Sequence, residues 1–439
     1  MDIEKTRKKV TGYLKKNGMD YEDVDMEEYC EIFHDEMRNG LEGKVSSLEM
    51  IPTYIEIDKE VPINEPVIVI DAGGANFRVA TVYFNDKKEP VIEDFEKYRM
   101  PGTEGKITNE EFFKVMAGYL KDVVEKSSKI GFCFSYAAEI FPSKDGKVIR
   151  LAKELEVEGV QGQMVGENLI RAIKTSGHKG DKHIVILNDT VTALLAGISS
   201  FPDRTFDSYV GFILGAGTNS CYVERNENIT KNKDLDPKKS QIINVESGGF
   251  GKGPMGVIDQ QFDASTENPG EGTFEKMISG AYFGPLCLKA AQAAAEDGLF
   301  SDLIAKELMK IEQINTEDVS DFMYHPQEQS NPISSIFNNK SEQDLVTLHC
   351  LIDGLIERAA KLTAINLSSM VLKSGKGQNP CFPVCIVAEG TTFYELKSLR
   401  LRVEYYLKGY LENKKHRYYE IVDIKKATLI GAAIAGLTN

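Results

Sequence analysis

The sequence predicts an α/β protein built from two similar halves that face each other across a cleft. Three observations point there. The chain has 439 residues, more than one hydrophobic core usually serves, so two or three domains are expected. Short apolar runs bounded by glycine alternate with amphipathic helical stretches, as in α/β folds. One unusual unit, an apolar strand that enters a glycine turn and leaves along a second strand, occurs twice.

The first 50 residues read as a charged helical lead-in, with Val10, Tyr13, Leu14 and Tyr21 at irregular helical intervals. From Val67, VIVI is a buried strand, DAGGANF a glycine-bearing turn and RVATVYF the returning strand. The second unit runs SYVGFIL, GAGTNS, CYVER, so that Gly217-Thr218-Asn219 parallels Gly74-Ala75-Asn76. Between the two units, KIGFCFS is a strand, GENLIRAIKTSG a helix stopped by glycine, and HIVILND a strand leading into the helix TVTALLAGI. After Glu275 the chain is mainly helical, with KAAQAAAEDGLF and RAAKLTAINLSSM, until CFPVCIVAEG supplies one more strand and turn. The closing TLIGAAIAGL is a helix of small residues that permits close backbone approach. Asn226 to Ser240 and Pro326 to Ser341 read as polar surface insertions.

Composition narrows the partners. With 42% hydrophobic and 27% charged residues the chain is expected to fold throughout. A net charge of −15 opposes non-specific binding to nucleic acid or an anionic membrane, so any phosphate must be held by local loops. No stretch approaches the roughly 18 apolar residues of a membrane span, and Met1 to Asn17 is too charged for a signal peptide. A cytoplasmic protein without nucleic-acid or membrane partners is expected. The seven cysteines, closest at Cys381 and Cys385, read as buried free thiols, and the six histidines lack metal-site spacing.

The chemistry-bearing residues cluster at strand ends. A strand that ends in an acid and glycines and then turns sharply exposes backbone N–H groups suited to phosphate oxygens. Asp71, Gly73, Gly74 and Asn76 supply this in the first turn; Gly215, Gly217, Thr218 and Asn219 supply it in the second. Either turn alone also fits a plain hairpin. The Walker and dinucleotide glycine patterns are absent, as are the HRD and DFG signatures of protein kinases. Asp189 follows the strand HIVILN, where it fits either a helix N-cap or a base that accepts a hydroxyl proton at the carboxyl end of a strand. Ser135 after GFCF, Glu246 before SGGFG and Glu275 in TFEKMI stand in apolar surroundings where hydrogen-bond partners are required, and sugar hydroxyls would serve. A loop salt bridge for Glu246 and a solvated helix face for Glu275 are the plainer readings.

Taken in order, these segments resemble the hexokinase family, sugar kinases on the duplicated actin-like ATPase fold. VIDAGGANFRV is similar to that family's first phosphate loop, GFCFSYAAEI to its sugar segment, and KVIRLAKELEVEGVQG to the stretch that follows. LNDTVTALLAG, FILGAGTNSCYVE and INVESGGFG continue the match, and TENPGEGTFEKMISGAYFG is its most specific piece. EDVSDF and AEGTTF resemble the nucleotide-side segments.

The resemblance implies a two-domain fold with an interdomain cleft: residues 1–66 a helical part of the large domain, 67–187 the small domain and 188–439 the rest of the large one, with a final helix able to pack on the small domain. It implies ATP and Mg²⁺ as cofactors, and transfer of the γ-phosphoryl group to the 6-hydroxyl of a hexose, with glucose the foremost candidate. Asp189 becomes the base, and Lys153 and Ser135 hold the sugar with Asn188, Asn219, Glu246 and Glu275. Asp71 orients Mg²⁺ through water; Gly73, Gly74, Asn76 and Arg78 meet the phosphates, and Gly215 and Gly217 close the second loop. Thr316, Ser320, Gly390 and Thr391 fall where the family contacts the rest of ATP.

The departures are specific. Ala75, Ala216 and Ala152 stand where the family has threonine, Gly272 where glutamine is common, Ser247 for tryptophan and Glu389 for aspartate. Each lost hydroxyl removes a hydrogen bond of about 0.5–1.5 kcal/mol, which keeps a catalytically weak sugar sensor in view. ATLIGAA lacks the family's glycine-serine-glycine, and the chain is expected to stop sooner than members whose last helix reaches back to the small domain.

Overall fold

The computed structural model describes residues 2–57, 59–151, 155–201, 203–337 and 341–439. Two mixed sheets dominate. In the first, β1 (Val67–Gly73), β2 (Asn76–Phe84) and β3 (Pro90–Arg99) form an antiparallel meander, and β4 (Lys129–Phe134) and β5 (His183–Leu187) add in parallel on the far side of β1. In the second, β6 (Ser208–Leu214), β7 (Thr218–Arg225) and β8 (Ser240–Asn244) repeat the meander, and β9 (Val384–Glu389) and β10 (Tyr419–Val422) add in parallel beside β6. Both sheets therefore share the order third, second, first, fourth, fifth, the duplication that two short glycine turns only hinted at. Ile51–Pro52 extends the second sheet by pairing with β8, which ties the N-terminal segment to it.

Helices α1 (Ile3–Lys16) and α2 (Met26–Glu42) bury Val10, Leu14, Phe33 and Met37 in the core behind the second sheet, against the 32-residue helix Glu342–Lys373. The irregular spacing read from the sequence resolves into two helices, each started by an aspartate whose carboxylate accepts first-turn amides: Asp2 from Lys5, and Asp25 from Glu27 and Glu28. A bidentate ion pair, Arg358 to Asp259 at 2.6 and 2.7 Å, lies wholly buried in this region.

Between the sheets lie α3 (Asp189–Ser199) and the closing helix α4 (Ala427–Thr438). Their apolar faces share one core with Val69 and Cys133 of the first sheet and Cys221 and Val387 of the second. Glycine makes this packing possible. A Cβ on Gly131 would stand 1.8 Å from the Ala432 carbonyl oxygen, and one on Gly431 would stand 1.9 Å from that of Thr192. The closing helix thus lies directly on the first sheet.

All seven cysteines are free, and five are buried as expected; Cys350 is half-buried and Cys381 exposed, the latter on a tight turn that leaves nothing to cover it. Among the described residues no helix is long and apolar enough to cross a membrane.

Candidate active site

The carboxyl ends of β1, β4 and β5 meet those of β6 and β9 at one cleft, where parallel strands deliver their following residues. Asp189 stands there as the first residue of α3, and its predecessor does the capping. The Asn188 side-chain oxygen accepts the Thr190 amide at 2.9 Å and the Thr190 hydroxyl at 2.6 Å. The plainer reading of Asp189 as N-cap is thereby displaced by one residue. Burial, opposed by the Thr190 amide bonded to it, and then the negative charge of Asp71 leave the Asp189 carboxyl raised to about 6. The Ser135 hydroxyl acts in the lowering direction and so faces the same carboxylate.

A hydrogen-bonded floor extends from Asn188. The Asn219 amide group reaches Asn188 Oδ1 at 3.4 Å, Asn244 Oδ1 at 2.8 Å and Glu246 Oε1 at 3.1 Å, while its own oxygen accepts the Ser220 and Ser247 amides. Asn244 closes the triangle by donating to Glu246 Oε1 at 2.7 Å. Glu246 sits in the left-handed region at φ 57°, a strained position for a non-glycine residue. Burial raises its carboxyl to about 7, despite the Asn244 bond. Among the described residues it forms no loop salt bridge. Glu275 is half-buried rather than on a solvated face; its Oε2 accepts the Thr218 amide at 2.8 Å, and burial raises its carboxyl.

The first glycine turn is tighter than expected. Gly73 pairs with Asn76, so only Gly74 and Ala75 lie outside the ladder, and Asp71 belongs to β1, cross-strand from Arg78. Arg78 donates to Asp71 Oδ2 at 2.8 Å, and the Thr428 hydroxyl at the start of α4 donates to the same atom at 3.1 Å. Arg78 is therefore engaged with the carboxylate beside which it was expected to meet phosphate. In both turns the carbonyls are anchored from behind. Gly74 accepts the Tyr136 hydroxyl and Ala75 the Met100 amide; Gly215 accepts the Gly280 amide and Thr392 hydroxyl, and Ala216 the Ala281 amide. A trans peptide points its N–H opposite to its C=O, so these anchors turn the Ala75, Ala216 and Gly217 N–H groups the other way. Gly390, at φ 113°, has no room for a Cβ, which would lie 2.3 Å from the Leu214 carbonyl.

Beyond the second turn a cavity of about 580 Å³ is lined by Ala216, Gly280, Thr316, Ser320, Thr391 and Thr392, among others. Thr316 and Ser320 line it, yet their hydroxyls serve the fold. Thr316 bridges the Gly280 carbonyl and the Gly284 amide, and Ser320 bridges the Glu395 carbonyl and the Lys397 amide. Lys153 and Ala152 lie outside the described residues.

Three residues escaped the sequence reading: Asn244, Thr428 and Glu389 as a charge. Asn244 and Thr428 carried no signal, because their roles depend on partners distant in the chain. Glu389 ends β9 just before Gly390, which was a usable cue; burial and the charges of Asp189, Asp71 and Asp423 raise its carboxyl to about 7. For Mg²⁺ the donor set fits only in part. Among the described residues no group of three or more His, Cys, Asp or Glu side chains is placed to hold a metal.

The architecture is the two-domain actin-like ATPase fold shared by sugar kinases. At 22% identity a glucose-complexed hexokinase from Schistosoma mansoni superposes with a TM-score of 0.78, covering 99% of this chain and all of the other. A ROK hexokinase from Thermus thermophilus, 14% identical, superposes at 0.51 over 84% of this chain and 97% of its own. Two hexokinase family models match, one over residues 15–199 and one over 209–438. The chain belongs to the hexokinase family. Hexokinase-1 of Pongo abelii is 29% identical over 84% of this chain, which spans only 42% of that protein. The hexokinase-like 1 protein of Arabidopsis thaliana is 27% identical over 92% of this chain and 86% of its own length.

Proposed function

We propose that the protein is an ATP-dependent hexokinase that transfers the γ-phosphoryl group of ATP to the 6-hydroxyl of a hexose, most simply glucose. The observation that carries this reading is Asp189. It is relieved of capping by Asn188, faces Ser135, and borders the Asn219–Glu246 floor. A base with a carboxyl near 6 is ionised at neutral pH yet more basic than an ordinary aspartate, which suits a hydroxyl proton. Glu246, Glu275, Asn188 and Asn219 bind the sugar hydroxyls, together with Ser135 and Lys153. The outward N–H groups of the two glycine turns hold the phosphates, and the cavity beside Thr316, Ser320, Gly390 and Thr391 takes the nucleoside. Mg²⁺, bound to ATP and oriented through water by Asp71, supplies charge neutralisation for the transferred group.

Residues 67–187 serve as the small domain that closes over 188–439 and 1–66 when hexose bridges the cleft, excluding water as the competing acceptor. The cytoplasm is the proposed setting, consistent with the absence of apolar spans among the described helices. Ala75 and Ala216, which remove hydroxyls from both phosphate turns, favour one alternative, a sugar sensor of little catalytic power. A coupled assay of ADP release across a hexose panel, run beside Asp189→Asn, decides. Hexose-dependent ADP release that Asp189→Asn abolishes supports the kinase; saturable glucose binding without ADP release supports the sensor.

A further inference from the structure

Glu246 begins a tight loop that runs to Lys252, and its left-handed backbone at φ 57° persists only if the surroundings enforce it. At this end of the loop the Glu246 carboxylate is tied to Asn219 and Asn244. The other end is tied to α2. Glu36 of that helix is 2% exposed, and both of its carboxylate oxygens are engaged. Oε2 accepts the Ser47 amide and the Ser47 hydroxyl, each at 2.7 Å, and Oε1 faces the Lys252 ammonium at 2.8 Å. A hydroxyl has one proton, so a Ser47 that donates to Glu36 turns its lone pairs away from it. Gly251 meets them: its amide donates to Ser47 Oγ at 3.0 Å.

The two segments touch along their length. The Phe33 ring, one turn before Glu36 on α2, lies 4.3 Å from the Phe250 ring between centroids. A Cβ on Gly249 would stand 3.0 Å from the Ser47 carbonyl oxygen. Met50 donates its amide to the Val245 carbonyl at 3.4 Å, immediately before Glu246. After burial, and against the Asn244 bond, the charge of Glu49 also raises the Glu246 carboxyl.

We propose that Glu36 is a positioning residue for hexose binding: through Ser47 and Lys252 it fixes the end of the loop whose start is Glu246, and so holds that carboxylate where a sugar hydroxyl meets it. The inference rests on the hexose kinase reading and deepens it by a residue that acts from behind the floor. A carboxylate is the group that fits, because the Ser47 amide and hydroxyl donate to one oxygen and Lys252 to the other. A glutamine of the same shape would serve one side and present N–H groups to the other. Lys252 is more than half exposed, so its pairing is screened and the Ser47 bonds carry most of the restraint. Hydrogen bonds to a buried charged group are the stronger kind, which suits a residue that keeps a strained neighbour in place.

The test takes the full chain with Glu36→Gln, Ser47→Ala and Glu246→Gln singly, and with each of the first two combined with the third. Glucose binding is read by calorimetry, the KM for Mg-ATP at saturating glucose by steady-state kinetics, and the folded state by thermal unfolding. Glu36→Gln is expected to weaken glucose about tenfold and Ser47→Ala at least about threefold, with the KM for ATP within about twofold of the parent's. In the Glu246→Gln background each should cost less than about twofold more, because the group they position is already lost. A purely structural role predicts otherwise. Equal losses with and without Glu246, parallel losses for glucose and ATP, or glucose affinity equal to the parent's in both variants would overturn the inference and leave the hexokinase reading intact. If Glu36→Gln does not fold, Ser47→Ala decides alone. Absence of glucose binding in the parent would instead overturn the hexose reading, and glucose binding untouched by Glu246→Gln would remove Glu246 from the sugar site and the role of Glu36 with it.

Discussion

Asn188 and Asp189 divide two tasks that either could perform: Asn188 caps the helix through Thr190 at 2.9 and 2.6 Å, and Asp189, one residue later, keeps its carboxylate in the cleft. The two should separate on substitution. Asn188→Ala is expected to cost about 0.5–2 kcal/mol of stability, typical of a lost N-cap, read by denaturant unfolding. Asp189→Asn should leave the fold intact and lower phosphoryl transfer by about 10²–10⁴-fold, the usual contribution of a positioned base. Activity of Asp189→Asn equal to the parent's would remove Asp189 from the mechanism.

The raised carboxyls set a pH dependence. With Asp189 near 6, transfer should fall as pH drops through 6, because the base becomes protonated. The stability effect has the opposite sense. An acid whose folded value lies above its unfolded one binds more protons when folded, so its contribution declines as pH rises from about 4 towards the folded value. Asp189→Asn should therefore exceed the parent's stability at pH 8 by up to about 3 kcal/mol, from a rise of about two units, and lose that advantage below pH 4. Denaturant midpoints of both proteins at pH 4 and pH 8 check the sign; a gap that widens on acidification contradicts it.

How much of this was legible beforehand depends on the distance over which each feature is determined. The glycine turns, Asp189 and the strand ends are local, so the first turn's strands and the helix after Asn188 could be read directly. The identical order of the two sheets could not, because β9 joins β6 across more than a hundred residues and β10 carries little strand signal of its own. Thr316 and Ser320 show the converse limit. Their positions fit a nucleotide site, yet their hydroxyls are committed to Gly280, Gly284, Glu395 and Lys397, which only the packing reveals.

The buried Arg358–Asp259 pair is the fold's most exposed weakness to single substitution. Asp259 also holds the Gly256 amide at 2.7 Å, so removing Arg358 leaves a carboxylate with one remaining donor in a site closed to water. Arg358→Met alone is expected to cost about 3–5 kcal/mol. Combined with Asp259→Leu it should recover a substantial part of that loss, since no unpaired charge remains. Thermal unfolding of the single and double variants checks this; a double variant less stable than Arg358→Met would contradict it.

Thr428 links the closing helix to Asp71, in the strand that enters the first glycine turn. Its hydroxyl and Arg78 share Asp71 Oδ2, so Asp71 is held from both the sheet and α4. Thr428→Val preserves shape and removes one bond to a charged group, a loss of about 1.5–3 kcal/mol if fully expressed. The expected outcome is a severalfold to hundredfold fall in kcat/KM for Mg-ATP, with hexose affinity within twofold of the parent. Loss of both together would assign Thr428 to stability rather than to the orientation of Asp71.

Ala216 offers the reverse experiment, a gain. It lines the large cavity at the second turn, and its carbonyl is tied to the Ala281 amide, so the backbone is already fixed where a threonine hydroxyl would be added. A new neutral hydrogen bond of about 0.5–1.5 kcal/mol corresponds to roughly two- to twelvefold in binding. Ala216→Thr should therefore lower the KM for ATP by that factor and leave the KM for hexose unchanged. Steady-state kinetics with ATP varied at saturating hexose reads the effect directly. An unchanged KM for ATP would mean that the nucleotide does not approach residue 216, and the cavity beside Thr391 would lose its assignment as the nucleoside site.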